Sequence, residues 1–134
     1  MNIVALVNDE RDRVLLAAVC DRNRWRVLFT DTSGEAWKVL NHLKAPVVFC
    51  DRDLPGTEWR EVIQMMASSA HNACCILLSR VVDDYLWNEL IGKGGYDVLP
   101  KPLPEEDVVR AVRLAWSYWI SAGRMLPRTL RHPR

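Results

Sequence analysis

The sequence predicts a single α/β domain with a doubly wound parallel sheet. Short β-branched runs alternate with longer segments of helical period five times along the 134 residues, the mark of strand–helix units that wind a parallel sheet. The runs Asn2–Val7 and Val47–Cys50 are apolar on both faces, as central strands covered by helices on both sides must be. A chain of this length, 49% hydrophobic, can bury one substantial core and is too short for two ordinary domains.

The first strand is read at Asn2–Val7 and the first helix at Glu10–Cys20, with Asp9 in position to cap it. The second strand, Trp25–Phe29, leads to a helix over Gly34–Leu43 that Ser33 can cap. Val47–Cys50 is followed, after a turn containing Leu54-Pro55-Gly56, by a helix over Glu58–Ser68. Cys74–Leu78 precedes a helix over Val82–Lys93, which Gly94-Gly95 ends. The last strand, Tyr96–Leu99, precedes a helix over Glu105–Ala122, opened by Pro104 and by three acids, Glu105, Glu106 and Asp107, on the positive end of its dipole. Residues 123–134 are left as an Arg/Pro-rich tail or linker stump.

Charge narrows the function classes. The last eleven residues hold four of the 18 basic residues and none of the 17 acids, so the body carries a net charge of −3. A body with that balance lacks the basic face of a nucleic-acid reader. The apolar runs Val14 to Val19 and Cys74 to Leu78 fall well short of the roughly 20 residues a membrane span needs, and no charged-then-apolar leader opens the chain. A soluble, cytoplasmic protein is expected. Cysteines 20, 50, 74 and 75 form no pair of C-x-x-C clusters and are read as reduced, buried thiols.

In a doubly wound sheet, ligands bind beyond the carboxyl ends of the strands. The residues there are Asn8, Asp9 and Glu10; Asp51, Arg52 and Asp53; Ser79 and Arg80; and Pro100, Lys101 and Pro102. Two acids, a hydroxyl and a lysine converging on one rim are what dication-assisted phosphoryl transfer to a carboxylate requires. Asp51 supplies a nucleophile, and a hard cation held by oxygen ligands offsets the repulsion between donor and acceptor. Lys101 stabilises the transferred oxygens, and Ser79 can hydrogen-bond the product. Singly, each residue has a plainer role: turn former for Asp51, helix cap for Asp9, exposed loop lysine for Lys101. Their joint occurrence at four strand ends favours the chemical reading.

The strings that carry this site resemble a known family. Val48-Phe49-Cys50-Asp51-Arg52-Asp53-Leu54-Pro55-Gly56 is similar to the phosphoacceptor loop of response-regulator receiver domains, the CheY-like domains of two-component signalling. Leu6-Val7-Asn8-Asp9-Glu10 is similar to their opening acidic cluster, Ile76-Leu77-Leu78-Ser79-Arg80 to their fourth strand, and Gly95 to Leu103 to their fifth strand and its Lys-Pro. The likeness runs from about residue 2 to 122. It implies a flavodoxin-like (βα)5 sandwich with strand order 2-1-3-4-5, and phosphorylation of Asp51 by a sensor histidine kinase or phosphotransfer protein. It also implies Mg²⁺ held by Asp9, Asp51 and the backbone carbonyl of Asp53, with Asn8 or Glu10 as further candidates. By the same resemblance Lys101 pairs with the phosphate, Ser79 moves to bond it, and the Lys101–Pro102 bond is cis.

Three positions depart from the family pattern. Asn8 stands where an acid is usual, which removes a candidate metal ligand. Val98 stands where many receivers carry an aromatic residue, and Tyr96 lies on the same strand face two positions earlier. Arg80 replaces a small residue and can pair with the phosphate or obstruct water, either of which slows dephosphorylation.

The last helix carries two apolar stripes: Val108, Val112, Ala115 and Trp119, and beside them Val109, Trp116 and Ile120. With Trp87, the second stripe either forms a homodimer patch on the face of helix 4, strand 5 and helix 5, or covers the domain's own edge. An output domain is either absent, supplied in trans, or cut from a longer regulator, and no membrane or direct nucleic-acid partner is expected. Two alternatives stand: a degenerate receiver that binds proteins without phosphorylation, and a phosphatase of the haloacid-dehalogenase kind, suggested by Asp51-x-Asp53.

Overall fold

The computed structural model describes residues 1–121. The tail expected at 123–134, and Ala122 at the end of the last helix, lie outside the described residues.

Five strands, β1 (Asn2–Leu6), β2 (Arg26–Thr30), β3 (Val47–Asp51), β4 (Cys74–Ser79) and β5 (Asp97–Pro100), form one parallel sheet in the order β2-β1-β3-β4-β5. Between and after them run α1 (Glu10–Arg22), α2 (Ser33–Leu43), α3 (Trp59–Ala67), α4 (Asp84–Gly92) and α5 (Glu105–Ser121). This is the flavodoxin-like arrangement the sequence implies. Among the described residues no helix is long and apolar enough to cross a membrane.

Side-chain alternation along the strands divides the core into two layers. Val4, Leu6, Val48, Cys50, Cys75, Leu77 and Val98 face α2, α3 and α4. Ile3, Ala5, Val47, Phe49, Cys74, Ile76, Leu78 and Leu99 face α1 and α5. β3 and β4 are buried throughout and β1 is buried beyond Asn2, whereas β2 is an edge strand in which only Thr30 is buried. All four cysteines are buried, and burial pushes the thiols of Cys20 up to about 11 and of Cys50 to about 12.

Helix ends follow local chemistry. Asp9 caps α1 through hydrogen bonds accepted from the N–H groups of Arg11 and Asp12. The cap of α2 is Thr32, not Ser33: the Thr32 hydroxyl accepts from Glu35 N at 3.1 Å, and Ser33 is the first helical residue. α4 begins later than the apolar pattern suggests, because Asp83 caps it by accepting from Leu86 N at 2.8 Å and leaves Val82 in the loop. Its end is a Schellman motif: Gly95 N–H donates to the Leu90 carbonyl at 2.9 Å, Gly94 N–H to the Ile91 carbonyl at 3.0 Å, and Gly94 has φ +90°.

Tyr96 does not share a face with Val98. The strand begins only at Asp97, so the two-residue period stops short of Tyr96, which packs with Tyr118 of α5 at 5.4 Å between ring centroids. The aromatic residues of α5 mainly cover the domain's own edge. Val109, Tyr118 and Trp119 pack on the core, Trp119 donates from Nε1 to the His71 carbonyl at 2.7 Å, and Trp116 stacks on Trp119. Trp87 likewise packs against the opposite core layer. Val81, Val82 and Tyr85 beyond β4 remain exposed, as do Leu114 and Ile120 of α5.

A Cβ on Gly95 would lie 2.3 Å from Leu90 Cδ1 and 2.6 Å from Leu90 Cγ, and Leu90 is fully buried. Gly95→Ala is therefore expected to destabilise the domain by about 1–3 kcal/mol, read as a lower urea midpoint with unchanged slope.

Candidate functional site

Because all five strands run parallel, their carboxyl ends meet at one rim. Asp51 is the last residue of β3, with its carboxylate mostly buried. One oxygen, Oδ1, accepts from the N–H of Asp53 at 2.9 Å, a local turn that fixes the carboxylate's orientation. The other, Oδ2, accepts from Lys101 Nζ at 2.5 Å.

Lys101 follows β5, one strand further from β3 than β4, so its side chain must cross the end of β4 to reach Asp51. Its backbone N–H is anchored on the Ser79 carbonyl at 3.0 Å, and the Lys101–Pro102 bond is cis. The same ammonium lies 2.9 Å from Asp12 Oδ2, an ion pair that is not aligned as a hydrogen bond. Burial works against the Lys101 ammonium, but its pairing with Asp51 and Asp12 prevails and holds its pKa above the ordinary value of 10.5.

The other expected residues lie at different depths around this pair. Asp9, Arg80, Lys101 and Pro102 line one open cleft, together with Arg11 and Asp12. The backbone N–H of Asp12, assisted by that of Arg11, holds the Asp9 carboxyl below its usual value. Asn8, Glu10 and the Asp53 side chain are exposed. Ser79 is fully buried, and its hydroxyl serves the loop beyond β4, donating to the Val81 carbonyl at 2.6 Å and accepting from Val81 N at 3.2 Å. Val98 lies in the core layer under α2–α4.

Sequence reasoning missed Asp12, although a signal was present. Asp12, Leu16, Val19 and Cys20 form the buried stripe of α1, and an acid on an otherwise apolar stripe is seldom buried without a partner. The partner is Lys101, 89 positions away in sequence.

Among the described residues no group of three or more His, Cys, Asp or Glu side chains is placed to hold a metal ion. The donors that fit a hard dication are the Asp9 and Asp51 carboxylates and the Asp53 backbone carbonyl. Only one Asp9 oxygen, Oδ1, is used by the helix cap. An all-oxygen set suits Mg²⁺ and does not suit zinc. Two carboxylates, a lysine and a backbone turn can accept a phosphoryl group, neutralise its charge and hold its oxygens.

A family model described as the response regulator receiver domain matches residues 4–113. No curated protein sequence matches the chain. Among solved structures, the signal receiver domain of an HD domain-containing protein from Pseudomonas fluorescens Pf-5 is 20% identical, with 93% of each chain covered and a TM-score of 0.82. The beryllofluoride-activated NtrC4 receiver domain dimer is 19% identical, with 88% of this chain and 98% of that chain covered and a TM-score of 0.79. A putative pilus assembly protein, CpaE, from Burkholderia thailandensis is 24% identical over 87% of this chain and 98% of that one, with a TM-score of 0.73. At these identities the structural likeness shows the fold.

Removing the ammonium leaves Asp12 and Asp51 as two buried carboxylates without their shared cation. Lys101→Met is expected to cost about 3 kcal/mol near neutral pH, measured by urea unfolding. Since the folded pKa is raised, the stabilisation is fully present below 10.5 and is lost as pH rises through the higher folded value. The gap between wild type and variant should therefore persist from neutral pH up to 10.5 and close in stronger alkali; a gap that closes near neutral pH contradicts the assignment.

Proposed function

The chain belongs to the response regulator receiver domain family, and from that premise we propose that it is a signalling domain that accepts a phosphoryl group on Asp51. The supporting observation is the convergence of Asp51 and Lys101 at 2.5 Å from strands that are not neighbours. In this reading an Asp51 oxygen attacks the phosphorus of a phosphohistidine on a sensor kinase or phosphotransfer protein. The P–N bond breaks, an acyl phosphate forms, and the histidine nitrogen takes a proton. Mg²⁺ on Asp9, Asp51 and the Asp53 carbonyl supplies charge neutralisation when bound. Lys101 follows the charge onto the new phosphoryl oxygens, since Asp51 loses its own negative charge on acylation.

Ser79 is the residue through which the added group acts on the surface. To bond a phosphoryl oxygen its hydroxyl must release the Val81 backbone, and the loop carrying exposed Val81, Val82 and Tyr85 is then free to change partners. Val98, aliphatic and packed in the core, provides no aromatic ring to follow it. A second reading draws on that valine and on exposed Asn8: a receiver that engages partners through the same loop without phosphorylation.

Incubation with acetyl phosphate and Mg²⁺ separates the two. Intact mass is expected to rise by one phosphoryl group in wild type and not in Asp51→Asn; an unmodified wild type would establish the phosphorylation-independent reading. Arg80, exposed at the cleft mouth, pairs with the phosphoryl group and shields it from water in this account. Arg80→Ala should accordingly shorten the acyl-phosphate lifetime severalfold, and an unchanged lifetime removes Arg80 from the site.

A further inference from the structure

We propose that Asp12 is a positioning residue that restores, through Lys101, the negative charge the site lacks at Asn8. The inference rests on the reading of Asp51 as a phosphoacceptor assisted by a dication. Position 8 is neutral, and the carboxylates placed to hold the metal are those of Asp9 and Asp51. If Asp51 were the sole partner of Lys101, the ammonium would cancel its charge and leave Asp9 alone against the cation.

The geometry removes that conflict. Lys101 Nζ lies 2.9 Å from Asp12 Oδ2 as well as 2.5 Å from Asp51 Oδ2. Asp12 is buried on the core stripe of α1, with a side-chain exposure of 11%, so its charge is only weakly screened. Lys101 and Asp12 together form a neutral pair. Asp9 and Asp51 then keep a formal charge of −2 between them, which matches one divalent cation. Arg11 and Arg80 also line the cleft, but both are exposed and act through solvent.

Asp12 need not touch the metal to do this, and no cluster of three acids is placed to hold one among the described residues. Its position also suits the product state. When Asp51 is acylated, Asp12 remains the carboxylate that holds the Lys101 ammonium at the rim, beside the new phosphoryl oxygens.

Calorimetric titration with MgCl₂ tests the charge argument without a turnover readout. Asp12→Asn, which preserves shape, is expected to weaken Mg²⁺ binding about tenfold. The double variant Asn8→Asp with Asp12→Asn returns the same total charge to the rim and should recover affinity to within about threefold of wild type. Asp12→Asn with Lys101→Met removes both halves of the neutral pair, leaves Asp51 as the one carboxylate that has lost its cation, and keeps the test open should the single variant not fold. Its affinity should stay within about threefold of wild type, and a tenfold loss there overturns the proposal. Affinity unchanged in Asp12→Asn, or not recovered with Asn8→Asp, also overturns it while leaving the phosphoacceptor reading intact. A wild type that binds no Mg²⁺ at millimolar concentration overturns the dication reading itself, and the role of Asp12 with it.

Discussion

The ammonium of Lys101 touches two carboxylates at the rim, and the site is arranged around that sharing. Asp51 comes from the end of β3, Asp12 from the first turn of α1, and Lys101 from beyond β5. No short segment of chain could bring these three together. In the buried rim each carboxylate alone would carry a desolvation cost of several kcal/mol, and the lysine offsets it for both. The raised pKa of Lys101 is the protein-side record of the same balance.

What makes the sharing possible is the sheet. Parallel pairing sends every strand's carboxyl end to the same side, and coverage on both faces leaves the strand ends as the region where polar groups meet water. Register then sets depth: Asp51 pairs with Leu78, and Ser79 with Pro100, so Asp51, the Ser79 hydroxyl and Lys101 lie within about two residues of the same level. Pairing of the Lys101 N–H with the Ser79 carbonyl extends this order past the last strand.

The loop beyond β4 joins a buried hydroxyl to an exposed apolar surface. Ser79 is fully buried and spends its hydroxyl on that loop's backbone, whereas Val81, Val82 and Tyr85 two to six positions on are exposed. A change at the buried hydroxyl therefore reaches the surface within a few residues. The aromatic side chains of α5 are less available for such a role, because Trp119 is fixed to the His71 carbonyl and Trp116 stacks on it.

The amino-acid sequence by itself determined the five strand–helix units, their apolar faces and the residues at each strand end, because these follow from local periodicity, capping and turn chemistry. Its errors were local as well: Thr32 rather than Ser33 as the cap of α2, and Tyr96 just outside the strand whose face it was expected to share with Val98. Only the tertiary structure decided that Asp12 stands at the site and that Ser79 is committed to Val81. A buried ion pair between α1 and the segment after β5 depends on how helices pack on a finished sheet. Sequence periodicity places Asp12 on the inward stripe of its helix, but charge pairing is set by three-dimensional proximity, which no spacing along the chain encodes.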